Sequence, residues 1–343
     1  MIGRVNIADY LEAARAKVAA DTWCYFEGGA GDEVTLRGNV AAYERWQLRP
    51  RMLVDVSGVT AATTLLGTTV ASPLGIAPFA MQRLLDPEGE LATAHAAAAA
   101  GVLICVSTLT TRTHAEIAAA AGDGPRWFQL YVLKDRSRTL DHMHEAREAG
   151  YSALVLTVDA PFIGRRERDL RLGFQNPPPD LHLPYANLFE MTPELTWRDL
   201  EWIRAEMPLP IVLKGILTRE DATLAVEHGA DAVWVSNHGG RQLDGVAAGL
   251  EALPEVADAV AGRCEVYVDG GIRRGTDVLK ALALGADAAF AARAFAGALA
   301  ADGEAGVAYA LSLLDAEIVL GLGLLGCTRP EFVTRAHVQR TPS

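Results

Sequence analysis

The sequence predicts an α/β protein built as one (β/α)8 TIM barrel, with a helical N-terminal extension and an insertion after the fourth strand. Three observations carry this. From about residue 73, short β-type runs alternate with helical runs, and eight such runs can be drawn: Pro73–Pro78, Val102–Thr108, Arg126–Val132, Ala153–Asp159, Pro210–Gly215, Ala232–Asn237, Val266–Gly271 and Ala288–Arg293. These runs are continuously apolar, as strands covered on both faces must be. Between them lie Ala-rich segments such as PEGELATAHAAAAAG and TREDATLAVEHG, with an acidic first turn and a closing Gly, which are crossover-helix signals. A doubly wound sheet is the alternative, but eight regular units within roughly 220 residues favour closure into a barrel.

The elements follow in chain order. Residues 1–72 precede the repeat and read as helices plus a short hairpin that plugs the bottom of the barrel; residues 73–326 form the barrel itself. The unit GADA occurs at Gly229–Ala232 and again at Gly285–Ala288, each time ending a helix and opening a strand. Residues 160–197, with the run Asn176–Pro177–Pro178–Pro179, interrupt the unit after the fourth strand. A long insertion there reaches over the C-terminal face, where barrel active sites lie, so it is expected to act as a lid. All of this makes one domain.

Composition narrows the function classes. The chain has 343 residues, is 50% hydrophobic and carries a net charge of −12, so its surface as a whole should repel nucleic acid and anionic membranes. Any anion site must be local. Cys24, Cys105, Cys264 and Cys327 are far apart and form no CxxC pair, which reads as buried thiols in a reducing compartment, with no zinc or other metal site. Asp9, Glu12, Arg15 and Lys17 interrupt the start where a signal peptide would be uncharged, and Asp315 and Glu317 interrupt the apolar stretch Ala308–Gly326. The expected location is cytoplasmic.

Polar side chains on such strands cost free energy unless they reach solvent or a ligand at the strand end. Here the C-terminal ends carry Ser107, Gln129, Tyr131, Thr157, Asp159, Lys214, Ser236, Asn237, His238, Asp269, Gly270, Gly271 and Arg293, so polar groups converge on one rim. Taken singly, most have an ordinary explanation. A Ser or Thr at a strand end is usually a helix cap, Asp159 could cap the insertion, and His238 divides evenly between structure and catalysis. Lys214, directly after Ile211–Val212–Leu213, is harder to dismiss, because its ammonium must meet an acceptor: an anion, or the carbonyl of a Schiff base. Paired glycines with Arg273 after the seventh strand, and Arg293 after the eighth, stand where barrels commonly hold phosphate.

The string Ser236–Asn237–His238–Gly239–Gly240–Arg241–Gln242–Leu243–Asp244 resembles the signature of the FMN-dependent 2-hydroxy acid oxidase and dehydrogenase family, which includes glycolate, lactate and mandelate enzymes. The resemblance runs from about Asn6 to Thr334 and includes Pro87–Glu88–Gly89–Glu90, Phe128–Gln129–Leu130–Tyr131 and Leu213–Lys214–Gly215; within the family the 4-hydroxymandelate oxidases look most similar. It implies FMN as the cofactor and His238 as the group that takes a proton from substrate, with Asp159 paired to it. It implies that Arg241, Tyr25 and Tyr131 contact the carboxylate and hydroxyl, with Arg166 near the substrate end. Lys214 would face flavin N1 and O2. Ser107, Gln129 and Thr157, with Ala77, Pro78, Phe79, Ala80 and Ser236, would contact the ring, and Asp269, Gly270, Gly271, Arg273, Ala292 and Arg293 the ribityl chain and phosphate. Relatives form tetramers, which implies a homo-oligomer here.

The sequence departs from its relatives at Ala292–Arg293–Ala294, where Gly-Arg-Pro is usual, and at Phe79 and Leu109 beside the pocket. The expected reaction is oxidation of an L-2-hydroxy acid to the 2-oxo acid, with oxygen as acceptor and hydrogen peroxide formed. The alternatives are a soluble dehydrogenase using a quinone or protein acceptor, an FMN-dependent isomerase on the same barrel, and a flavin-binding protein without catalysis.

Overall fold

The structure is a computed structural model of the full chain, and it describes residues 3–186 and 190–341; the part of the expected insertion at 187–189 lies outside them. Eight parallel strands close a barrel in sequence order: β1 (Leu74–Ile76), β2 (Ile104–Ser107), β3 (Arg126–Leu130), β4 (Leu154–Thr157), β5 (Ile211–Ile216), β6 (Ala232–Val235), β7 (Glu265–Asp269) and β8 (Ala288–Ala291). Most are shorter than the sequence predicts by one or two residues at an end. The trimmed residues have already left the hydrogen-bond ladder to form the rim, so apolar patterning alone could not exclude them.

Helix termini are set by local chemistry. Thr113 opens the helix His114–Ala121 and Thr196 opens Trp197–Glu206, each in a capping box with the acid three residues on, Glu116 and Asp199. The GADA units behave as expected. Gly229 (φ 76°) and Gly285 (φ 111°) follow the last residues of their helices, and Ala232 and Ala288 begin β6 and β8.

The barrel interior is a packed layer. Side chains alternate along each strand, so Trp127, Val155, Val212, Trp234, Tyr267 and Phe290 point inward while Phe128, Leu156, Leu213, Val233, Val268 and Ala289 face the helices. Phe290 lies 4.0 Å from Trp234, ring centre to ring centre. It fits because Gly75 stands opposite; a Cβ at that position would meet the Phe290 ring at 2.2 Å.

The extension divides between the two ends of the barrel. A hairpin of residues 63–65 and 68–70 buries Leu65 and Val70 against the interior layer, and the Leu66 amide donates to Glu265 at the start of β7, so the hairpin plugs the bottom. The helices α1 (Ile7–Lys17), α2 (Ala20–Glu27) and α3 (Val34–Glu44) lie elsewhere. The end of α2 and the buried face of α3 reach the rim, which brings residues from far upstream to the C-terminal face. Numbering the later helices in order, the barrel carries α4 (Glu90–Ala99), α5 (His114–Ala121) and α6 (Arg136–Glu148), then α7 (Glu167–Leu172) within the insertion and α8 (Trp197–Glu206) closing it. The last four are α9 (Arg219–Glu227), α10 (Gly249–Val260), α11 (Gly275–Ala283) and α12 (Arg293–Leu325).

Among the described residues α12 is the one helix long and apolar enough to cross a membrane by length and composition. Its helical backbone breaks at Asp302 and Gly303, and residues such as Phe295, Leu299, Leu311 and Leu322 are buried against the rest of the chain.

Candidate active site

The inward alternation that fills the barrel also builds the site. Two residues beyond the apolar inward layer, at the C-terminal ends of the same strands, stand Ser107, Gln129, Thr157, Lys214, Ser236 and Asp269. All six are buried. Period two, strand by strand, thus turns an apolar layer into a polar one without any change in backbone direction.

These groups satisfy one another only in part. Ser107 Oγ donates to Gln129 Oε1 at 3.2 Å, yet Gln129 Nε2 has no partner although it is buried. Lys214 Nζ donates to Ser236 Oγ at 2.9 Å and pairs with Asp269 at 3.1 Å, while Ser236 donates to Asp269 at 2.8 Å. Burial works against a charged Lys214, but Asp269 and Asp159 outweigh it and hold its pKa above the usual lysine value. Ser236 is fully enclosed beneath the rim and does not line the pocket. It joins the two lining residues Lys214 and Asp269 by hydrogen bonds at the end of β6.

His238 follows β6 in a tight turn. Its backbone is left-handed (φ 59°), a costly conformation for a residue with a Cβ, and its amide donates to Ser236 Oγ at 3.0 Å. The turn is locked by Asn237, whose side chain accepts from the Gly240 amide at 3.0 Å and exchanges two 2.8 Å hydrogen bonds with Asn39 of α3. The ring Nδ1 lies 2.9 Å from Asp159 Oδ1 and Nε2 lies 3.3 Å from the Tyr131 hydroxyl. Burial opposes the Asp159 charge, but His238 and Lys214 overcome it and keep the carboxyl below the usual range. Burial likewise pushes the His238 pKa below that of free histidine, against the pull of Asp159. Asp159 comes this close because Gly215 (φ 115°) leaves room; a Cβ there would meet the Asp159 Cβ at 2.6 Å.

Around this pair the pocket is lined by Tyr25 and Phe26, by Ala77, Pro78, Phe79 and Ala80 after β1, and by Leu109, Tyr131, Arg166, Arg241 and Ile272. Arg241 Nη1 donates to the carbonyls of Tyr25 and Gly28, and its guanidinium sits 4.6 Å over the Tyr25 ring. Arg166, which precedes α7 in the insertion, is buried with Nε and Nη1 unpartnered. Burial and the neighbouring Arg241 lower its pKa to about 10.

At the other end lie Asp269, Gly270, Gly271, Arg273, Ala292 and Arg293. Arg293 opens α12, and burial together with Arg241, Arg273 and Arg166 lowers its pKa to about 9. Its guanidinium donates to the carbonyls of Phe26, Gly239 and Gly28 at 2.8–3.0 Å, so it also ties the end of α2 to the His238 turn. Gly271 (φ 86°) is needed for a reason that sequence alone did not show: a Cβ there would meet the Asn39 carbonyl at 2.0 Å. Ala292 takes a negative φ (−109°), so the alanine in place of the usual glycine strains nothing.

Five cationic side chains (Arg166, Lys214, Arg241, Arg273 and Arg293) thus line one pocket of an acidic protein, with Asp269 the sole carboxylate among its lining residues. That excess, with an orphaned amide at Gln129 and a helix N-terminus at Arg293, fits a polar heteroaromatic ring bearing a phosphate, together with a small carboxylate. The residues present therefore fit FMN.

The family described as FMN-dependent dehydrogenase matches residues 14–340. The chain belongs to this family. It is 48% identical over 347 residues to an L-lactate oxidase of Nostoc sp., covering 95% of each chain, and 42% identical over 351 residues to a glycolate oxidase of Spinacia oleracea, covering 97% of this chain and 95% of that one. A crystal structure of a mandelate oxidase superposes with a TM-score of 0.93 at 45% identity, covering 98% of each chain. This chain is accordingly an FMN-dependent enzyme of the (S)-2-hydroxy acid oxidase family, and it oxidises 2-hydroxy acids.

Several residues of the site went unnoticed in the sequence. Asn39 was legible as a polar residue on the apolar face of an N-terminal helix, and Phe290 as a bulky inward residue one step from the rim. Phe26 and Ile272 carried no signal beyond adjacency to Tyr25 and Arg273.

Proposed function

We propose that the enzyme oxidises an (S)-2-hydroxy acid with an apolar side chain to the 2-oxo acid and passes the electrons to oxygen, forming hydrogen peroxide. The observation that carries this is His238, with Nδ1 tied to a buried carboxylate and Nε2 beside the Tyr131 hydroxyl in an arginine-lined pocket. The lactate, glycolate and mandelate oxidases named above support the substrate class and the acceptor.

FMN, which Ser107, Gln129 and Thr157 would hold by its ring and Gly271, Arg273 and Arg293 by its phosphate, supplies an acceptor for two electrons. Everything else is done by side chains. Arg241, Arg166 and Tyr25 hold the substrate carboxylate, which fixes the alcohol carbon in the pocket. Neutral His238 accepts the substrate proton at Nε2, and Asp159 stabilises the imidazolium so formed, while the Tyr131 hydroxyl orients the substrate oxygen. Lys214 supplies fixed positive charge beneath the rim, where negative charge develops during the reaction.

The apolar end favours this reading over an isomerase acting on a phosphorylated substrate. Leu109, Tyr131, Leu133, Ala186 and Met191 cluster there with Ala80 and Ala160, a wall suited to an apolar side chain. The test is anaerobic bleaching of the bound flavin by a panel of aliphatic and aromatic 2-hydroxy acids, followed by reoxidation in air. Bleaching followed by peroxide at the turnover rate supports the reading. Bleaching with reoxidation far slower than turnover on an artificial quinone would make the enzyme a dehydrogenase, and no bleaching by any acid would overturn it.

The same proposal places the enzyme in the cytoplasm as a homo-oligomer. Free buried thiols at Cys24, Cys105 and Cys327 support the first, and Leu320 and Leu324, exposed on α12, support the second. Light scattering of the purified protein tests the oligomer.

A further inference from the structure

Tyr185 lies in the insertion, and its contacts are unusual for a loop residue. Its ring stacks on the His114 imidazole, with centres 4.3 Å apart and planes 21° from parallel, and meets His142 edge-on at 5.0 Å. Its hydroxyl accepts a 2.6 Å hydrogen bond from the backbone amide of His114, the first residue of α5, whose N–H has no partner within the helix. His114 is itself enclosed by Phe128 and Tyr151, at ring distances of 4.6 and 5.3 Å. From α6, Arg138 donates to the Tyr185 carbonyl at 2.6 Å and pairs with Glu190 at 2.9 Å. Farther along the insertion, the Thr192 amide donates to the Val132 carbonyl and Met191 bridges Leu133.

Ala186, the residue next to this anchor, is buried in the apolar cluster with Leu109, Tyr131 and Met191. Leu109 and Tyr131 line the substrate pocket, and Tyr131 reaches His238. One peptide unit therefore connects a ring clamped between two histidines on the outer helices to the wall behind the reacting atoms.

We propose that Tyr185 is a positioning residue: clamped by His114 and His142, it holds the adjacent Ala186 in place and so sets the size of the apolar end of the substrate pocket. Acids with a large apolar side chain depend on this wall. Glycolate, which has no side chain beyond its alcohol carbon, does not. The inference rests on the reading of the pocket as a 2-hydroxy acid site.

The test compares Tyr185→Ala with the unaltered holoenzyme on glycolate, L-lactate and (S)-mandelate, with FMN content and flavin spectrum measured on the same samples. Loss of the wall should raise KM for the largest acid that the unaltered enzyme accepts by about tenfold or more, the scale of a lost apolar contact in a pocket. The value for the smallest accepted acid should stay within about twofold, with FMN content unchanged. Tyr185→Phe keeps the stack and removes only the bond to the His114 amide, so its KM ratio should shift in the same direction by less. An unaltered ratio in both variants, or an equal loss for large and small acids, overturns the proposal. Should Tyr185→Ala fail to fold, Tyr185→Phe decides on the same ratio. If the unaltered enzyme turns over none of these acids, the functional reading falls as well; activity with an unshifted ratio removes only the positioning role.

Discussion

The Asp159 carboxylate and the His238 imidazole meet at 2.9 Å, and the contact places a full negative charge against the ring nitrogen farther from Tyr131. Burial and the carboxylate act on the histidine in opposite senses: burial lowers its pKa, while Asp159 raises it. The burial effect prevails in the resting enzyme, so the ring is neutral and can accept a proton near pH 7; the carboxylate then stabilises the charged ring that forms.

Asp159→Asn should therefore retain FMN and lose flavin reduction by roughly the 10²–10⁴-fold typical of acid–base groups. The base form of His238 is required, so activity falls as pH drops through its pKa. Without the carboxylate that pKa is lower still, and the acid limb of the reduction rate should move to lower pH. Anaerobic stopped-flow reduction across pH checks both effects, and an acid limb displaced upward would contradict the pairing.

Arg241→Lys should raise KM strongly and leave FMN bound. The guanidinium is fixed by the Tyr25 and Gly28 carbonyls and stacked on the Tyr25 ring, a geometry an ammonium cannot reproduce. Arg273→Ala should do the reverse and release FMN on dialysis with little change in the chemistry of the bound fraction. Substrate titrations and flavin absorbance after dialysis separate the two; unchanged FMN content in Arg273→Ala would move the phosphate site elsewhere.

Lys214→Met should destabilise the protein by about 3–5 kcal/mol, the scale for leaving one member of a buried ion pair alone, because Asp269 would stay buried with Ser236 as its side-chain donor among the described residues. Thermal unfolding of the variant checks this. An unchanged Tm would mean that Asp269 takes up a proton or reaches water.

Gly75→Ala tests the barrel layer. The added Cβ meets the Phe290 ring at 2.2 Å inside a packed core, so that ring must move, and Phe290 also lines the pocket floor. Overpacking of this kind costs typically about 1–3 kcal/mol. Reduced stability together with a changed flavin spectrum is expected, whereas lost stability alone would show that the shift is absorbed away from the pocket.

Stability should also fall in mild acid. Burial lowers the His114 pKa to about 3 and that of His142 to about 4, while both groups titrate near 6.5 in an unfolded chain. A group whose pKa is depressed by folding contributes stability above its unfolded value, and the contribution is lost as pH falls from there toward the folded value. Around His142 the charged groups are Arg138, which lowers its pKa, and Asp141 and Glu190, which raise it; none outweighs burial. His114→Phe should flatten the decline in denaturant midpoint between about pH 6.5 and 3, the window set by the unfolded and folded values of His114. An equally steep decline in the variant would place the loss elsewhere.

The sequence by itself determined the barrel, its strand order, the plugging hairpin and most of the rim. Each of these follows from local rules: continuous apolar runs for strands covered on both faces, helix caps, glycine stops, and polar residues where apolar strands end. Through its resemblance to a known family it also marked His238, Arg241 and Asp159 as a set. What only the tertiary structure decided is which of those polar groups meet one another across strands. Ser236 and Asp269 are strand-end residues of two different strands, and only packing brings them into a 2.8 Å hydrogen bond, with Lys214 reaching both. Gly271 looked like a ligand-facing glycine, and it is equally the residue that lets α3 pack, because the Asn39 carbonyl occupies the space of its Cβ. The clamp of Tyr185 between His114 and His142 joins three segments far apart in the chain, and nothing local distinguishes those residues from surface aromatics. Periodicity encodes direction along one element; the meeting of elements depends on packing across the whole chain, which no local pattern contains.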